Sequence, residues 1–186
     1  KSGDLFPSLE EELENGNIVV RSLSKTHCIT GWRVGYVVCK DKEYMQHLDN
    51  LLLHTSSGVS TLPQGALSRL KNFDHTIEES RKGYMKKRDI LYEGVSKVKD
   101  VNVLLPDSGL FLFADFKELI PQNLTEDEKA VHIPNFLQTF DPPILVLPGI
   151  SCGKGYETYI RMAYSVESKE NLSLVGEVLQ ERFGRK

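Results

Sequence analysis

The sequence predicts an α/β protein built in two parts around one long helix. Short apolar runs such as Ile18-Val19-Val20 and Ile144-Leu145-Val146-Leu147 alternate with longer amphipathic stretches, the pattern of strands interleaved with helices. Those longer stretches open on capping residues at Ser8, Asp41, Thr125 and Ser168. From His75 to about Val98 the helical spacing continues without a proline. These signals set residues 1–74 before one long helix over 75–99, followed by a compact α/β unit over 100–186. At 186 residues the chain can bury one good core and little more.

Taken in order, Ser8 with Glu11 forms a capping box for a short helix that turns Leu9 and Leu13 inward, and Asn15-Gly16 ends it. Ile18 to Val20 is a strand leading to Ser22, and Val34 to Cys39 is a second buried strand. Asp41 caps a helix from Lys42 to His54 with Tyr44, Leu48, Leu51 and Leu52 at helical spacing. Residues 55–61 are small and polar, hence a loop, and Pro63 opens the next helix at its first position. In the long helix Ile77, Tyr84, Leu91 and Val95 share a face, and the basic run Lys82, Lys86, Lys87, Arg88 is a solvated one. Val101 to Leu105 is a strand, Pro106 to Gly109 a turn, and Leu110 to Phe113 another strand. Thr125 with Glu128 starts a helix that Pro134 is expected to kink or split. Ile144 to Leu147 is a strand stopped by Pro148-Gly149, and Tyr156 to Tyr164 is the last strand. The final helix begins near Ser168, turns Leu172, Val175 and Leu179 inward, and ends at Gly184.

A net charge of -3 gives no general attraction to nucleic acid or an anionic membrane. No run of 18 apolar residues is present. Cys28, Cys39 and Cys152 have no metal-ligand spacing and cannot all pair, which fits a reducing compartment. His27, His47, His54, His75 and His132 show no ligand or triad spacing, so no metal is expected. A cytoplasmic or organelle-matrix protein with no nucleic-acid or membrane partner is the expectation.

Chemistry concentrates in the loop between the first two strands. Ser22-Leu23-Ser24-Lys25 is followed by Gly31-Trp32-Arg33-Val34-Gly35. A loop on a rigid scaffold is where reactive groups are displayed. A lysine amine made neutral by burial or nearby cations attacks aldehydes to form a Schiff base, and an arginine fork suits a phosphate. Against this stands the default of a solvated lysine and an ion-paired arginine. Trp32 reads as core. Arg161 lies in the apolar run Tyr159-Ile160-Arg161-Met162-Ala163, so its charge needs a salt bridge or a ligand.

Ser-x-Ser-Lys, then seven residues, then Arg within Gly-Trp-Arg-x-Gly resembles the cofactor-lysine segment of the class I/II aminotransferases. These are pyridoxal-phosphate enzymes of fold type I, with aspartate aminotransferase as a representative. Pro148-Gly149-x-x-Cys152-Gly153 resembles a family motif in which an aromatic stands where this chain has Cys152. The resemblance implies the end of a large-domain sheet over 1–74, a long linking helix and a small α/β domain. It implies Lys25 as the catalytic residue, bonded to pyridoxal 5'-phosphate and shuttling the substrate Cα proton. Ser22 and Arg33 would bind the cofactor phosphate. Arg161 would grip the substrate α-carboxylate, and Gly109 would line the substrate site, although a plain tight turn explains Gly109 nearly as well. The loop from Thr55 to Ala66 resembles one that approaches the cofactor and the partner subunit, so a homodimer acting on an amino acid and a 2-oxo acid is implied.

The family's aspartate against the cofactor nitrogen would fall before Lys1, and Asp4 does not match it. The chain therefore reads as the C-terminal half of such an enzyme, inactive in isolation and prone to self-association through exposed strand edges. A lyase or aminocyclopropane carboxylate synthase-like reaction on the same fold, or a non-catalytic α/β interaction module, remain as alternatives.

Overall fold

The computed structural model describes residues 8–71 and 73–185. The chain divides into two compact units that meet in sequence between Ile77 and Glu78.

In the first unit Ser8 Oγ accepts the Glu11 N–H at 3.1 Å and starts α1 (Leu9–Glu14). Gly16, at φ +76°, then turns the chain into β1 (Val19–Ser22), as the Asn-Gly pair predicts. No residue of α1 is buried, so Leu9 does not face inward. β1 pairs antiparallel with β2 (Gly35–Val38), Val19 opposite Val38 and Ser22 opposite Gly35. The expectation of two buried strands fails here: Val20 is 71% exposed and Tyr36 46%. A two-stranded ribbon has no neighbouring strand to cover its edges and no second layer over its full width. Val19 and Val34 are the buried hydrophobics among the described residues of this unit.

α3 (Lys42–Ser56) starts where Asp41 Oδ1 accepts the Tyr44 N–H at 3.0 Å, and it stops at Ser57 in the left-handed region. Its apolar stripe is uncovered, with Leu51 at 58% exposure and none of its residues buried. α4 (Thr61–Leu67) places Pro63 third rather than first. The position is tolerated because backbone N–H groups in the first turn have no helical partner to lose. α5 (Phe73–Ser96) contains 24 residues and runs across the division between the units.

The second unit holds a four-stranded antiparallel sheet. Its strands are β3 (Asn102–Val103), β4 (Phe111–Asp115), β5 (Leu147–Pro148) and β6 (Tyr159–Ala163), in the order β3-β4-β6-β5. Alternation is strict in the central pair: Leu112, Ala114, Ile160 and Met162 are buried, while Phe111, Phe113, Tyr159 and Arg161 point to the other face. The buried face packs with Leu91 and Val95 of α5 and with Leu172 and Leu179 of α7 (Lys169–Phe183). The outer strands are shorter than the apolar runs predict, and Leu104, 80% exposed, lies beyond β3. The strand ends at Pro148-Gly149 as expected, and Pro148 is its last residue, paired with Ile160 on the sheet edge, where a missing N–H costs no ladder bond.

α6 (Glu126–Gln138) carries the capping box in full: Thr125 Oγ1 accepts the Glu128 N–H, and Glu128 Oε2 accepts the Thr125 N–H at 2.8 Å. Pro134 lies inside this helix without splitting it, because proline removes one backbone donor and buried neighbours such as Ile133 and Leu137 hold both halves against the core. The basic run on α5 is only partly a solvated face. Lys87 Nζ donates to the Ser165 carbonyl at 3.1 Å, and Arg88 NH1 donates to the Pro106 carbonyl at 3.0 Å while pairing with Asp89. These bonds tie α5 to the two chain segments at one end of the β4–β6 pair, where β4 begins opposite the end of β6.

α5 and α7 pack backbone to backbone at Gly94 and Gly176, where a Cβ on either residue would lie 2.6 Å from the opposing Cα. Gln180 Nε2 donates to the Gly94 carbonyl at 2.9 Å beside that contact. Gly94→Ala or Gly176→Ala is therefore expected to push the helices apart and lower stability by about 1–3 kcal/mol, read as a lower urea midpoint. The two Thr125 donors hold the Glu128 carboxyl below the usual carboxylate range. Their stabilisation is present near neutral pH and fades as the pH falls through the acidic range, where the folded carboxylate gains its proton. Urea midpoints of Glu128→Gln and the parent chain should converge in acid and differ at neutral pH.

Candidate functional site

The β1–β2 hairpin displays three of the residues that the sequence singles out. Ser22 closes β1, and its Oγ accepts the Ser24 N–H at 3.2 Å, so it caps the single helical turn α2 (Leu23–Thr26) that carries Lys25. Lys25 thus sits on a helical turn and not in an extended loop, and it is exposed. The burial invoked for an activated lysine is not supplied by the residues around it here. The loop base is fixed by Leu23 N–H donating to the Val34 carbonyl at 3.1 Å. Thr30 bridges its middle, with Oγ1 donating to the Ser24 carbonyl at 3.0 Å and its own carbonyl accepting from Arg33 NH1 at 3.2 Å. Arg33 is exposed and, like Cys28, has a positive φ, 54° and 57° respectively. Two non-glycine residues in the left-handed region within one loop are a local cost that the surrounding bonds must hold. Trp32, expected in the core, is 41% exposed.

Gly35 makes the close base possible, since a Cβ there would meet the Arg21 carbonyl oxygen at 2.6 Å.

The other two candidates belong to the second unit. Gly109 has φ +94°, a conformation that favours glycine, and its carbonyl accepts the Tyr164 hydroxyl at 2.7 Å. Burial pushes the Tyr164 phenol up, keeping it a donor. Arg161 lies on the sheet face away from the core, half-buried, with no carboxylate partner among the described residues. Its Cζ is 4.4 Å from the centre of the Phe111 ring, and NH1 donates to Cys152 Sγ at 3.9 Å. The salt bridge that would explain this arginine structurally is absent among the described residues. Ser22, Lys25 and Arg33 thus share one hairpin, and Gly109 and Arg161 share one sheet region. Among the described residues no group of His, Cys, Asp and Glu is arranged to hold a metal ion.

Sequence reasoning missed Thr30 and Phe111. Strand alternation could have placed Phe111 on the face of Arg161, but pairing register was needed to bring them into contact. It also treated Cys152 as a packing substitution, whereas the thiol touches the arginine directly.

A model of the family "aminotransferase class I and II" matches residues 3–178 of this chain. The chain belongs to that family. Among curated relatives, a probable aspartate/prephenate aminotransferase of Aquifex aeolicus is 32% identical over 89% of this chain and 40% of its own length. A probable aspartate aminotransferase of Methanocaldococcus jannaschii is 24% identical over 89% of this chain and 42% of its own. The chain therefore spans less than half the length of these class I and II aminotransferases. Among solved structures, an aromatic aminotransferase from Pyrococcus horikoshii shares the fold with a TM-score of 0.74 at 23% identity, over 89% of this chain and 43% of that one. Aspartate aminotransferase from Thermus thermophilus does so with a TM-score of 0.69 at 24% identity, over 90% and 40%. No helix among the described residues is long and apolar enough to cross a membrane.

If Gly35 sets the hairpin base, Gly35→Ala should open it and cost about 1–3 kcal/mol, with amide shifts spreading from Leu23 to Val34 in NMR spectra. Gly31→Ala, whose Cβ would meet nothing within 4 Å, should leave those amides nearly unchanged.

Proposed function

We propose that this chain is the C-terminal part of a pyridoxal-phosphate-dependent aminotransferase that moves an amino group between an amino acid and a 2-oxo acid. The observation that carries the reading is the hairpin that displays a hydroxyl, a primary amine and a guanidinium together, all exposed, in a chain of the class I and II family. That donor set fits the cofactor: Lys25 would hold its aldehyde carbon, and Arg33 with the Ser22 hydroxyl would hold its phosphate. When bound, pyridoxal phosphate supplies the electron sink for carbanion chemistry at the substrate Cα. Lys25 Nζ would take and return the proton at that carbon. Arg161 would hold the substrate carboxylate with its fork of donors, and the turn at Gly109 would border that position.

We further assign the protein to a reducing compartment such as the cytoplasm, since no disulfide joins Cys28, Cys39 and Cys152. A homodimer is supported by the uncovered apolar stripe of α3 and by Leu62, which is 82% exposed.

Incubation of the chain with pyridoxal phosphate, borohydride reduction and peptide mapping test the reading. Label is expected on Lys25, lost in Lys25→Ala, and several-fold weaker with pyridoxal lacking the phosphate. Arg33→Ala should remove that preference for the phosphorylated form. Label scattered over surface lysines, unchanged by either substitution, would sink the assignment of the hairpin.

A further inference from the structure

We propose that Phe111 is a positioning residue for Arg161, holding the guanidinium as a cation kept available for an external carboxylate. The inference rests on the reading of Arg161 as the carboxylate-binding group and adds what keeps that group in place.

A half-buried arginine in the middle of a strand needs compensation for its charge. The usual solution is a carboxylate neighbour, and the described residues offer none within ion-pair distance. An acidic neighbour would also compete with any carboxylate ligand for the same donors. A ring face attracts the cation through its quadrupole without neutralising it and without occupying an N–H. Phe111, with its ring centre 4.4 Å from Arg161 Cζ, meets that requirement.

Pairing register explains why this ring and not its neighbour does so. Phe113 is directly opposite Arg161, but it stacks on Tyr159 at 4.8 Å and meets Tyr156 edge-on at 5.2 Å. Phe111 is the diagonal neighbour, and the residue opposite it is Ala163. A methyl group there leaves the Phe111 ring room to lean over Arg161, and diagonal pairs on one sheet face are within reach of an aromatic side chain. Cys152 Sγ accepts from NH1 and so fixes the guanidinium at a second point. At 40% exposure Phe111 adds little to the core, so a role in packing explains it poorly.

The chain labelled with 15N-arginine would be titrated with pyruvate as the carboxylate probe, with the Arg161 side-chain signal assigned by its loss in Arg161→Gln. The expected result is a ring-current-shifted Arg161 signal in the parent chain that moves on titration. Phe111→Leu should abolish the ring-current shift and weaken pyruvate about threefold to tenfold. Phe111→Trp should restore both. Unchanged affinity in Phe111→Leu, or failure of Phe111→Trp to restore it, overturns the role given to Phe111 while leaving Arg161 as the binding group. No pyruvate binding by the parent chain, or binding that Arg161→Gln leaves intact, overturns the carboxylate reading itself.

Discussion

The pairing of β4 with β6 sets what every other part of the second unit can do. Five consecutive residue pairs, from Phe111 opposite Ala163 to Asp115 opposite Tyr159, hold two strands in one register. Because side chains alternate, that register assigns Leu112, Ala114, Ile160 and Met162 to the core and Arg161 to the open face in a single step. A slip of one residue that turned β6 over would bury the arginine among aliphatic side chains and expose Ile160 and Met162. The cost of a buried unpaired charge forbids the alternative. The tethers from Lys87 to Ser165 and from Arg88 to Pro106 secure α5 beside the ends of those strands, and Tyr164 ties the end of β6 back to the Gly109 turn.

The two units differ in how much of their apolar surface they cover. The second packs three helices against one face of its sheet and buries residues such as Leu112, Leu137 and Leu179 completely. In the first, hydrogen bonds within the hairpin do most of the local work, and the apolar stripe of α3 meets no second layer among the described residues. Lys25 and Arg33 are consequently well fixed through their backbone yet exposed at their side chains. That is the arrangement expected of groups that act on a bound molecule, since the backbone constraint fixes direction and exposure permits contact.

Legibility of the site from sequence followed the range of the interactions. The Lys25 and Arg33 pair was readable because both lie in one loop, where spacing along the chain nearly equals spacing in the fold. The environment of Arg161 was not, because Phe111 reaches it across strands separated by a long stretch of chain. The expected inward positions of Leu9 and Trp32 failed for a related reason. Helical spacing says which residues share a face but not whether anything covers that face. That α6 continues through Pro134 without splitting was equally hidden, because local helix propensity carries no information about the core that holds both halves of the helix.

The sequence by itself determined the family and the helix starts at Ser8, Asp41, Thr125 and Ser168. Caps and turns are local, so their physics is contained in a few adjacent residues. Tertiary structure alone decided that Pro148 joins a sheet edge, that Gly94 and Gly176 let two helices touch, and that Arg161 rests on Phe111 instead of a carboxylate. Each of those outcomes depends on strand register or helix approach, which are fixed by packing between segments distant in sequence and so cannot be read from either segment alone.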